Sequence, residues 1–168
     1  MKKNEWITLG VGIAIIVLLA YMSGIFGAFT NNSSIKATTM DLNQGKKGIP
    51  PIEGKNISSD PKLQIIEISQ GTSTVIAKTG SHVYVNYTGM LDDGTIFDSS
   101  YPRNKPIDFV LGQGFVIKGW DMGLQGMKVG DKRRLIISPE YGYGAAGASG
   151  VIPPNATLTF DVEMVSVK

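Results

Sequence analysis

Cysteine is missing from all 168 residues, and histidine occurs once, at His82. Disulfides, thiol catalysis, cysteine-bound zinc and iron–sulfur clusters are therefore excluded together. A lone histidine with no partner histidine or cysteine reads as a surface residue and not as a metal ligand. It also leaves no convincing Ser–His–Asp set. Nor is there an excess of one charge. Sixteen Lys/Arg face fourteen Asp/Glu, and from Pro61 onward the two classes are equal at ten each. A neutral domain lacks the basic footprint of a nucleic-acid binder. Two fragments resemble cofactor motifs and fall short of them. Gly112-Gln113-Gly114 has Ile117 where a dinucleotide fingerprint needs its third glycine, and Leu91-Asp92-Asp93-Gly94 lacks the later carboxylates of a calcium loop. No cofactor is expected.

What is present begins with a long apolar run. Residues 1–5 carry Lys2 and Lys3, and Glu5 is the last charge before Lys36. Between them, Trp6 to Phe29 is uncharged and mostly apolar. As a helix this stretch would be about 36 Å long, enough to cross a hydrocarbon core of about 30 Å. Nothing nearby in the chain could cover a helix apolar on every side. The run exceeds what a signal-peptide core needs, and no A-x-A-like site follows it. A retained single-pass membrane anchor is expected, with a cleaved and secreted form as the alternative. The lysines ahead of the span orient residues 1–5 to the cytoplasm and the rest of the chain to the other side.

Residues 30–60 are rich in Asn, Ser, Thr, Gly, Lys and Pro without a sustained apolar period. They read as a flexible tether spanning roughly 30 Å. From Pro61 the texture changes. KLQIIEIS and HVYVNYTGML alternate as strands, the second with Val83, Val85 and Tyr87 on one face. Asp93-Gly94 is a hairpin turn leading into TIFD. IDFVL, KRRLIIS and TLTFDVEMVSV complete the strands, the last with Leu158, Phe160, Val162 and Met164 facing one way. Lys132-Arg133-Arg134 reads as the solvated start of its strand. A brief helix is expected around Lys118 to Leu124. Residues 61–168 thus form an α+β domain in which an antiparallel sheet wraps one short helix.

The stretch from Val116 to Pro154 holds no nucleophile and no metal ligand. It offers aromatic and aliphatic surface, a few hydroxyls and glycine-opened backbone, the equipment of an apolar pocket with sparse polar groups. The aromatics Tyr87, Phe97, Phe109, Trp120, Tyr143 and Phe160 sit on separate elements, and such a set can simply be a core. Three features argue for a cavity instead. Trp120 lies in a very short helix between Gly119 and Gly123, Asp98 adjoins Phe97, and Tyr143 rides on a glycine-rich loop.

VYVNYTGMLDDGTIFDSS, NKPIDFVLGQGFVIKGWDMGLQGMKVGDKRRLIISPEYGYG and GVIPPNATLTFDVEMV follow one another in a single register. Together they closely resemble FKBP-type peptidyl-prolyl cis-trans isomerases over about residues 62–168. The resemblance implies a strongly curved antiparallel sheet around the short helix, with the pocket between them. It implies a lining of Tyr87, Phe97, Asp98, Phe109, Val116, Ile117, Trp120, Tyr143, Ile152 and Phe160. Trp120 would be the floor. The Tyr143 hydroxyl and the Ile117 N–H would bind carbonyls, and Arg103 would support the region of Asp98 and Tyr87. The sequence departs from the family at Ile107, where many members carry an aromatic, and at Phe115, where some carry an acid. Ala148-Ser149 alters a loop tip.

The implied activity is isomerisation of X-Pro bonds in proline-containing polypeptide clients, without a covalent step. Tacrolimus- or rapamycin-type macrolides are implied ligands of the same pocket. The topology expected above would direct the domain to exported or membrane-proximal proteins. A different class of function uses the same pocket only to hold proline-containing or apolar segments, with catalysis incidental.

Overall fold

The computed structural model describes residues 48–148 and 150–168. The span expected at 6–29 lies outside the described residues, and no helix within them is long and apolar enough to cross a membrane. The strands are β1 (Lys55–Asn56), β2 (Leu63–Ser69), β3 (His82–Met90), β4 (Ile96–Ser99), β5 (Ile107–Val110), β6 (Lys132–Ile137) and β7 (Leu158–Val167). One helix, α1 (Lys118–Gly123), lies between β5 and β6. The strands form one antiparallel sheet in the order β1-β2-β6-β7-β3-β4. The free edge of β3 is shared, its first half pairing with β5 and its second half with β4. Register shifts interrupt the pairing at Glu67/Ser69, Tyr84/Val85 and Gly89/Met90. Such irregularities bend strands and raise their twist, which suits a sheet that curves around a helix.

The alternation read from the sequence sorts the two faces. Val83, Val85 and Tyr87 of β3 and Leu158, Phe160, Val162 and Met164 of β7 are buried together with Trp120 and Leu124 in one core cluster. Helix α1 has only six residues, too few to be stable alone, so its place depends on packing. A Cβ on Gly119 would meet Ile137 side-chain atoms at 2.5 Å, and one on Gly123 would meet Leu135 at 2.7 Å. The two glycines let the helix backbone lie directly on β6.

The basic run entering β6 is solvated only at Lys132, which is exposed. Arg133 and Arg134 are 5% and 2% exposed. A buried guanidinium needs partners for its fixed fork of donors. Each arginine finds them, although Arg133 Nε is left without one among the described residues. Arg133 faces inward and donates to the Gly123 and Gln125 carbonyls, at 2.9 and 2.8 Å, closing the C-terminal end of α1. Arg134 faces outward and grips Asp161 through two bonds of 2.6 and 2.7 Å. Period-two alternation assigns a face to each residue but not what covers it.

The outer face is covered by part of the polar segment expected to be a tether through Asp60. Ile49 is 4% exposed, the Pro50 carbonyl accepts from Arg134 at 2.6 Å, and Lys55–Asn56 pairs with Glu67 and Ile66 of β2. Gly48 lies so close to the β3–β4 turn that a Cβ would stand 1.8 Å from the Asp93 carbonyl oxygen. Beneath this strap a row of outward positions runs Gln64, Ile136, Thr159, Met90 across β2, β6, β7 and β3. Ile66, Met90 and Ile136 are buried, yet none belongs to the main core. Residues 48–60 therefore add a third layer to the domain. Their composition concealed it, because backbone pairing, a close glycine approach and a single buried isoleucine carry the docking. Ile49→Ala should lower the stability of the chain by about 2 kcal/mol, at the lower end for a buried aliphatic truncation. A urea titration reads this directly, and an unchanged midpoint would mean that the strap contributes nothing.

Candidate active site

Between the inner face of the sheet and α1 lies a cavity of about 460 Å³. Trp120 is at its centre. The indole meets the rings of Tyr87 and Phe160 edge-on, at centroid distances of 5.1 and 5.2 Å. Phe97 meets Phe160 in the same way at 5.5 Å. Edge-to-face pairs of this kind contribute about 0.5–1.5 kcal/mol each beyond their buried area, so the rings stabilise one another. Backbone geometry permits it. A Cβ on Gly89, opposite Phe160 in the ladder, would stand 2.6 Å from the Phe97 ring and 2.8 Å from the Phe160 ring.

Tyr87, Phe97, Asp98, Val116, Ile117, Trp120, Tyr143 and Phe160 all line this cavity, as the family resemblance implies. Ile107 and Phe115, noted above only as departures, line it as well. Phe109, Ile152 and Arg103 are not on its wall. Phe109 is buried behind the indole at 6.0 Å. Ile152 is buried and bridges to Ala148, bordering a separate hollow lined by Ala146, Ala148 and residues 150–154. Arg103 stands in an adjoining groove with Lys105 and Asp108. From there it donates to Asp98 at 2.7 Å and to the Tyr87 hydroxyl at 3.1 Å.

One carboxylate therefore sits in an aromatic wall and is fully engaged. Burial pushes the Asp98 carboxyl up. Hydrogen bonds from the Tyr87 hydroxyl, Arg103 and the Ser99 N–H outweigh that and hold it below the usual carboxylate range. It is ionised at neutral pH. Burial, and then the hydrogen bond to Asp98, push the Tyr87 phenol up, so it stays protonated and donates. Among the described residues, the Ile117 backbone N–H and the Tyr143 hydroxyl are donors on the lining that no hydrogen bond engages. The Trp120 indole N–H is buried without a partner. The arrangement offers an aromatic-walled cavity, one neutralised carboxylate and donors for carbonyl oxygens. It contains no nucleophile poised against a base.

Fold and cavity together define a class, a small α+β domain with an aromatic-lined cavity between its curved sheet and one short helix. Residues 73–165 match the family described as FKBP-type peptidyl-prolyl cis-trans isomerase. The chain is 53% identical over 106 residues to the peptidyl-prolyl cis-trans isomerase Fkbp12 of Drosophila melanogaster, covering 63% of this chain and 98% of that protein. It is 55% identical over 103 residues to an FK506-binding protein of Neisseria meningitidis serogroup C, covering 61% and 94%. With FK506-binding protein 1A of Neurospora crassa it shares 45% over 120 residues, covering 71% and 93%. The chain belongs to the FKBP-type peptidyl-prolyl cis-trans isomerase family, and its enzymatic class is that of an isomerase.

The sequence did not point to Gly89, whose role is to have no side chain where two rings converge. Gly89→Ala should force Phe97 and Phe160 apart at a cost of about 1–3 kcal/mol. Isomerase activity should fall with it, which paired denaturation and activity measurements would check. An alanine variant with wild-type activity and stability would contradict this packing.

Proposed function

We propose that the aromatic cavity is the catalytic site and that it takes an X-Pro segment with the prolyl ring over Trp120. The observation that carries this reading is the mutually packed box of Tyr87, Trp120 and Phe160 beside the unengaged Ile117 N–H and Tyr143 hydroxyl. In it, the Tyr143 hydroxyl and the Ile117 N–H receive client carbonyls. Asp98 is the polar wall, held by Tyr87 and Arg103. Phe97 and Val116 close the sides, and Phe109 and Ile152 support the site from behind.

The chemistry needs no covalent step. A peptide bond resists rotation because its C–N bond has partial double-bond character, with a barrier of about 18–20 kcal/mol. Before proline the two isomers are close in energy but exchange in tens to hundreds of seconds. The twisted transition state loses resonance and carries less charge separation at the carbonyl. A dry aromatic surround therefore favours it over the planar, more polar ground state. Carbonyls fixed at Tyr143 and Ile117 hold the flanking chain while the bond turns. Each reduction of about 1.4 kcal/mol in the barrier is a tenfold gain in rate, so a few such contributions suffice.

Prolyl isomerisation of an X-Pro peptide panel by the purified full chain tests the site. The full chain is needed because residues 48–60 belong to the domain. Tyr143→Phe removes one hydrogen bond and should lower kcat/KM about tenfold. Asp98→Ala leaves Tyr87 and Arg103 without their acceptor and should lower it at least as much. A folded chain that accelerates no peptide would favour a holding module that grips proline-containing or apolar segments. Macrolides of the tacrolimus or rapamycin type would occupy the same cavity and compete with peptide, a reading supported by the names of the FK506-binding relatives.

The charge pattern of residues 1–29 supports a single-pass anchor with a cytoplasmic N-terminus. The domain would then assist exported or membrane-proximal proteins from the extracytoplasmic side, with residues 30–47 as the remaining tether. A reporter that works only outside the cytoplasm, fused after Lys168, should be active. Activity of a cytoplasm-only reporter in the same position would overturn the topology.

A further inference from the structure

The wall of the cavity opposite the sheet is a loop. Residues 111–117 run from β5 to α1 without regular structure and contribute Phe115, Val116 and Ile117 to the lining. Packing does not hold the middle of this loop. Phe115 is 72% exposed, and the neighbouring Gly112 and Gly114 have φ of +76° and +73°. That conformation is open to glycine at little cost and leaves the backbone otherwise permissive. Neither glycine N–H reaches a backbone acceptor.

Both N–H groups go to one carboxylate. Asp121, the residue after Trp120 in the first turn of α1, accepts from Gly112 N–H through Oδ1 at 2.8 Å and from Gly114 N–H through Oδ2 at 2.9 Å. Charge-assisted hydrogen bonds are about twice as strong as neutral ones, and here one side chain spans three residues of flexible backbone. Just past the helix, Gln125 donates to the Asp121 carbonyl at 3.2 Å and to Thr79 Oγ1 at 3.1 Å, tying the end of α1 to the segment before β3. Asp121 itself is not on the cavity wall. Its carboxylate joins the element that carries the floor, Trp120, to the element that carries the lip.

We propose that Asp121 is a positioning residue for the isomerase reaction. By stapling the loop to α1 it sets the distance between Trp120 and the group formed by Phe115, Val116 and the Ile117 N–H. The inference rests on the reading of this cavity as the substrate site. An aspartate suits the task because its two oxygens meet two N–H groups two residues apart. Asparagine keeps one acceptor and turns an NH2 donor toward the other N–H. Glutamate keeps the charge and both acceptors on a longer arm.

Asp121→Asn and Asp121→Glu in the full chain test this, with steady-state kinetics on X-Pro peptides and amide hydrogen exchange. Asp121→Asn should raise KM about tenfold with a smaller change in kcat. Exchange at Gly112 and Gly114 should accelerate while the Trp120 amide keeps its protection. Asp121→Glu should recover most of the loss. The effect of Phe115→Ala on KM should shrink in the Asp121→Asn background, because a released loop no longer presents that ring. Activity that falls only in proportion to the folded fraction, equally in both Asp121 variants, would overturn the proposal. So would faster exchange at the two glycines with unchanged kinetics. If Tyr143→Phe and Asp121→Asn both leave activity at the wild-type level, the site reading itself fails. If Tyr143→Phe impairs activity and Asp121→Asn does not, the positioning role alone is lost.

Discussion

The structure depends on how closely a six-residue helix can approach a strand. Helix α1 is too short to hold itself together, yet it carries the indole around which the aromatic box is built. Gly119 and Gly123 remove the side chains that would keep its backbone off Ile137 and Leu135. Arg133 comes from the strand beneath and donates to the carbonyls of Gly123, the last helical residue, and of Gln125 just after it. Once the helix is seated, Trp120 can meet Tyr87 and Phe160 edge-on at about 5 Å, and the remaining geometry of the cavity follows from those contacts.

Charged side chains do much of the positioning, and each works because its partners are supplied by a different element. Arg133 joins β6 to α1. Arg134 joins β6 to β7 and to the strap at Pro50. Arg103, on a 3₁₀ turn at Tyr101–Arg103, neutralises Asp98 of β4, to which the Tyr87 hydroxyl of β3 also donates. Asp121 joins α1 to the loop before it. Buried or half-buried charges of this kind are costly if left alone and specific when matched. They make the domain intolerant of small displacements, which suits a site that acts by shape and local polarity and forms no bond.

The fold was largely legible because alternation is a local property. Strands β2 to β7 fall where hydrophobic period two and the Asp93-Gly94 turn indicate, and the inward faces of β3 and β7 are those read from Val83, Val85 and Tyr87 and from Leu158 to Met164. The strap was not legible. Residues 48–60 have the composition of a linker, and only the outward residues Ile66, Ile136 and Met90 on distant strands reveal a surface that needs covering. The burial of Arg133 and Arg134 was hidden for the same reason, since a basic run at a strand start looks alike whether water or protein surrounds it.

For the site, the motif-level resemblance named most of the residues that meet at the cavity. Phe109, Ile152 and Arg103 turned out to stand behind or beside the wall, because a motif specifies which residues gather and not the side of a ring each one touches. By itself the sequence determined the strand pattern, the absence of covalent and metal chemistry by cysteine, and the aromatic set with Trp120 between its glycines. All of these are properties of neighbouring residues or of composition. Only the tertiary structure decided that Gly89 must lack a side chain, that Ile49 closes the outer face, that Ile107 and Phe115 complete the lining, and that Asp121 holds the lip. Each of these is a contact between segments far apart in the chain or across a turn with no side-chain signature. Such contacts exist only once the sheet has curved around the helix.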